Sequence, residues 1–81
     1  MGRGGGTVRW RKIEALVRRL EPRIIRLFEE NAVDPNEAAR LLEETVTLLL
    51  FRWSEVAKPE IWMMEMLEHR VRRLAQGEPP S

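Results

Sequence analysis

The chain contains no cysteine. Disulfides, thiolate metal sites and cysteine nucleophiles are thereby excluded, and a reducing compartment is the natural setting. One histidine, His69, is too few for a histidine-rich zinc site. No apolar run approaches the roughly 18 residues of a membrane-spanning helix, and the first residues lack the apolar core of a signal peptide. A cytoplasmic protein with no membrane partner is expected. No alternating strand pattern is present, so there is no strand to precede a glycine-rich phosphate loop. Glu43 and Glu44 are adjacent and diverge around a helix. Glu65, Glu68 and His69 fall within about one helical turn, but as a metal site they are short of ligands. The expectation is a protein that is no enzyme and holds no cofactor or metal.

What is present is charge, unevenly placed. The net charge is +1, but twelve of the fourteen basic residues are arginine. Residues 1–26 carry eight basic residues against two acids, and residues 29–44 carry six acids against Arg40 alone. Such polarity argues for local charged patches rather than a uniform nucleic-acid coating. Arg9, Arg11, Arg18, Arg19, Arg23 and Arg26 lie off the first apolar stripe. They read as a solvated face or, alternatively, as a site for phosphate or an acidic partner.

Eighty-one residues make one domain. The periodicities predict an all-α, compact three-helix domain over residues 7–76, between disordered tails at 1–6 and 77–81. Helix one starts near Thr7 and carries Ile13, Leu16, Val17, Leu20, Ile24, Leu27 and Phe28 on one stripe. Pro22 lies inside it, so a kink or break near Arg19–Pro22 is expected. The stripe keeps its phase across the proline, which favours a kink. Asn31-Ala32-Val33 is a loop. A central helix over residues 34–53 opens on Asp34 as cap, Pro35 at the first position and Glu37 where a capping-box acid sits. Its inner stripe is Leu42, Val46, Leu49 and Trp53. Helix three starts at Pro59 or Glu60, carries Ile61, Met64, Leu67, Val71 and Leu74 inward, and stops at Gly77. The expected core is Leu16, Leu20, Leu27, Leu42, Leu49, Trp53, Trp62, Leu67 and Val71.

The segment VTLLLF, residues 46–51, is more apolar than a one-sided helix needs. Leu48 and Phe51 lie away from the inner stripe, and each would forgo burial worth about 1.5–3 kcal/mol if left in water. Either a neighbouring helix covers them or a second chain does, and a second chain is the favoured expectation. Met63 joins Leu48 and Phe51 as a candidate for that partner interface.

The stretch AARLLEETVTLLLFRWSEVAKPEIWMMEMLEHRVRRLAQ resembles region 2 of bacterial RNA polymerase sigma factors of the extracytoplasmic-function type. The resemblance rests on Leu41, Glu44, Thr45, Leu49, Leu50, Arg52, Trp53, Pro59, Glu60 and Trp62, in register without gaps. The upstream segment EALVRRLEPRIIRLFEE is similar to the first helix of that region, so residues 12–76 are covered.

The resemblance implies that Arg40, Glu43, Glu44 and Thr47 face the clamp helices of core RNA polymerase. It also implies that Lys58, His69, Arg70, Arg72 and Arg73 lie near promoter −10 DNA. Phosphate neutralisation and base stacking are what such a site needs. The chain departs from the family pattern at several points. Arg40 stands where an acid is usual, and Glu43 replaces an amide with a group that cannot donate. Glu65 and Glu68 place acids on the helix that would meet DNA. With the chain ending at Ser81, the second DNA-binding domain of such factors is not included. The function expected is that of a transcription-related domain. The alternative is a sigma-like adaptor or decoy that pairs with itself or an anti-sigma-type partner and no longer melts DNA.

Overall fold

Asp34 starts the middle helix by the mechanism its sequence predicts. Its Oδ2 accepts the amide of Asn36 at 3.0 Å, and Pro35 takes the first turn, where its missing donor costs nothing. Glu37 turns toward Arg40, 4.0 Å away, and Asp34 alone makes the capping bond. The computed structural model describes residues 3–77; Met1, Gly2 and residues 78–81, parts of the expected tails, lie outside that range. The order is α1 (Arg3–Glu30), α2 (Pro35–Phe51), a 3₁₀ turn (Trp53–Glu55) and α3 (Pro59–Ala75). The fold is all-α, three helices with no strand among the described residues. None of these helices is long and apolar enough to cross a membrane.

Two boundaries differ from expectation. Helix α1 begins at Arg3 rather than Thr7, taking in Gly4, Gly5 and Gly6. Glycine costs a helix about 1 kcal/mol per residue relative to alanine but does not forbid it. Helix α2 stops at Phe51, because Arg52 leaves helical geometry (φ −106°, ψ 18°) and the chain tightens into the 3₁₀ turn that holds Trp53. Helix α1 runs through Pro22 without a break, in keeping with the unbroken phase of its apolar stripe. There the carbonyl of Arg18 has no amide to accept from. Pro22→Ala should therefore raise the unfolding free energy by about 1–2 kcal/mol, less than the full propensity difference because proline also restricts the unfolded chain. A higher midpoint in thermal circular dichroism checks this; a lower one would contradict a helix continuous through that position. Gly77 ends α3 as predicted. At φ +73° it takes the left-handed conformation, and its amide bonds the carbonyl of Leu74 at 2.9 Å.

All three helices pack against one another. The buried core is Ile13, Leu16, Leu20 and Ile24 from α1, Leu41 and Leu49 from α2, and Met63, Met64, Leu67 and Val71 from α3. Leu27, Leu42, Trp53 and Trp62, expected in the core, flank it half-buried. The inner line of α2 is Leu41, Thr45 and Leu49, with Leu42 and Val46 beside it. Thr45 tolerates full burial because its hydroxyl donates to the carbonyl of Leu41 at 2.8 Å. On α3, Met63 shares the inner face with Leu67 and Val71 at spacings of four. Ile61, expected inward, is half-exposed. Over ten residues the helix turns well past the phase of a stripe begun at Ile61.

Candidate functional site

The outer face of α2 is built by spacing. Arg40, Glu44, Thr47 and Phe51 recur at four, three and four residues and form one line, with Glu43 and Leu48 on its flanks. The inner line of Leu41, Thr45 and Leu49 fixes which way this outer line points. Arg40, Glu43, Glu44, Thr47 and Phe51 are exposed, and Leu48 is half-buried. Two sets that the sequence pattern keeps apart, the polar residues that the resemblance assigns to polymerase and the apolar pair Leu48 and Phe51, thus share one surface. Phe51 is 77% exposed.

Helix α3 closes one side of this surface. Arg70 Nη1 donates to Glu44 Oε1 at 2.7 Å, joining residues 26 apart in sequence. With Glu43, Thr47 and Leu48, the pair lines an open groove of about 470 Å³. The Glu44 carboxylate is half in water, so the bridge is worth about 1 kcal/mol or less. Its contribution is geometric: it orients Glu44 and ties the face to α3. Arg70 Nε is buried with no acceptor among the described residues. A donor left this way is costly, and the charged bond made by Nη1 offsets part of that cost.

Two residues stand apart from the groups in which the sequence places them. Arg70, which the resemblance puts near DNA, bonds Glu44 and lines the α2 groove. Met63, grouped with the partner interface, is fully buried and cannot meet a partner. Burial follows from its place one turn before Leu67, a spacing that fits the inward face as well as that of Met64.

The other residues that the resemblance puts near DNA are exposed but do not converge. Lys58 precedes α3, while Arg72 and Arg73 sit in its last turn. Lys58 and Arg72 are fourteen residue steps apart along the helix, about 21 Å. Lys58 lines a second groove, of about 310 Å³, with Arg52, Glu55, Ile61, Trp62 and Glu65. His69 lies exposed between the two ends. Charges of both signs rim the Trp62 groove, so it is no purely cationic channel. Among the described residues, no three histidine or acidic side chains are placed to hold a metal ion.

Comparison of the chain with models of known families, with curated proteins and with solved structures returns no match.

Proposed function

We propose that this domain acts in transcription in the manner of sigma factor region 2, binding the clamp helices of core RNA polymerase through the outer face of α2. The observation that supports it is the common exposed line of Arg40, Glu44 and Thr47 with Glu43 beside it, held to α3 by the Arg70 bridge. A face whose charged groups are fixed before binding loses less side-chain entropy on docking. Promoter −10 DNA is the second proposed ligand, through Lys58 in the Trp62 groove and His69, Arg72 and Arg73 further along α3. Titration of bacterial core RNA polymerase with the domain, followed by tryptophan fluorescence, tests the main proposal. Binding at about micromolar affinity that a clamp-helix fragment competes away is the expected result. No binding at that concentration would overturn it.

The exposure of Phe51 supports a second reading, an adaptor or decoy that pairs through Leu48 and Phe51, with a second copy or another protein. In its self-pairing form, the solution mass rises with concentration and Phe51→Glu abolishes the rise, because a charge cannot enter an apolar contact without a partner. A strictly monomeric wild type in analytical ultracentrifugation would remove self-pairing.

A further inference from the structure

The outward side of α1 carries a charge pattern that the α2 face does not use. Lys12, Arg19, Arg23 and Arg26 follow one another at spacings of seven, four and three, so they form a line along the helix. Arg11 and Arg18 flank it on the side away from the core. All six are exposed. The acids of this stretch, Glu14 and Glu21, lie toward the opposite edge of the helix. Among the described residues only Arg19 of the six has an ion-pair partner, Glu60 at 3.6 Å. From Lys12 to Arg26 the line is about 21 Å long.

We infer that this stripe is a binding site for the phosphate backbone of a nucleic acid, separate from the α2 face and independent of the function proposed for it. Three features point to phosphate. Duplex DNA carries one negative charge per about 1.7 Å of axis, so a rod-like row of cations meets a rod-like row of anions along its whole length. Five of the six cations are arginine, whose planar fork binds phosphate oxygens in pairs. Between the cations lie Ala15 and Pro22, and no large apolar side chain stands on the line to serve as the anchor that dominates protein interfaces.

A lipid surface fits less well, because the exposed apolar residues of α1, Val8, Trp10 and Ile25, are scattered around and along the helix and form no continuous apolar face beside the charges. At its flank the stripe borders a groove of about 390 Å³, where Lys12 and Arg19 face Trp53, Pro59 and Glu60. Glu60 is the acid with which a phosphate would compete for Arg19. Contacts to the phosphate backbone carry no sequence information, so binding through them is independent of sequence.

The test is fluorescence anisotropy of a labelled duplex DNA of arbitrary sequence, titrated with the full chain at two salt concentrations. If about four phosphates are neutralised, affinity falls about 100-fold between roughly 50 and 200 mM salt. Arg23→Glu combined with Arg26→Glu should weaken binding at least about tenfold and lower the salt slope by about two. Circular dichroism confirms that the variant is folded, and Arg72→Gln combined with Arg73→Gln serves as the comparison on α3. The inference is overturned if the α1 variant binds as the wild type does, or if only the α3 variant loses affinity. It is also overturned if the wild type fails to bind DNA while polyglutamate or anionic phosphatidylglycerol vesicles bind; these outcomes assign the stripe to an acidic protein or a lipid surface.

Discussion

Leu49→Ala is expected to remove most of the stability of this domain. Leu49 is fully buried, at the C-terminal end of the inner line of α2, in a core to which all three helices contribute. Leucine-to-alanine changes at such sites cost about 3–5 kcal/mol, the transfer term plus the cavity left behind. A domain of 81 residues has roughly 4–12 kcal/mol in total. The midpoint of thermal unfolding should therefore drop by at least about 15 °C, and part of the population should be unfolded at room temperature. Leu74→Ala, at a position 38% exposed near the end of α3, should cost under about 1 kcal/mol. A Leu49→Ala midpoint within about 5 °C of wild type would mean that α2 does not hold its inner face against α1 and α3 as described.

Glu43→Arg is expected to do the reverse: leave the fold intact and remove binding. Glu43 is exposed at the rim of the α2 groove and has no ion-pair partner among the described residues, so its replacement should change stability by no more than about 0.5 kcal/mol. At a docked face the same change puts a cation where a carboxylate was complementary. Reversals of this kind cost about 2 kcal/mol or more, which is at least about 30-fold in affinity for core RNA polymerase. Glu44 is a less clean probe. Glu44→Arg would set a second guanidinium against Arg70, 2.7 Å from the present carboxylate oxygen, and loosen the face as well as recharge it. Unchanged polymerase binding by a folded Glu43→Arg variant would place the contact elsewhere. Loss of binding together with a large drop in midpoint would show Glu43 acting on the fold instead.

The contrast between these two variants mirrors what the sequence conveys. Helix starts and stops were legible where a local rule sets them. Asp34-Pro35 opens α2 and Gly77 closes α3 because capping depends on neighbours only a few residues away. Which line of α2 is innermost was less so. Leu41, Leu42, Val46, Leu49 and Leu50 cover more than half the helix, and periodicity alone does not rank adjacent lines in such a run. Thr45 sits on the buried line although a hydroxyl reads as surface, because its bond to the Leu41 carbonyl removes that penalty. Met63 was displaced outward by the same ambiguity, since Met63 and Met64 both stand within a turn of Leu67. The groove was not legible at all. Glu44 and Arg70 are 26 residues apart, and their meeting depends on how α2 and α3 cross. No one-dimensional pattern records that angle. The α1 stripe, by contrast, is a property of one helix and could be read directly from spacing.

Under the proposed function the outer face of α2 is the docking surface. Site-specific photo-crosslinking tests it most directly, with a benzophenone side chain replacing Thr47 on the exposed line and, separately, Ile25 on the exposed side of α1. Irradiated with core RNA polymerase, the Thr47 variant should crosslink to the largest subunit at its clamp helices, and the Ile25 variant should not. Crosslinking from position 25 with none from position 47 would contradict the account.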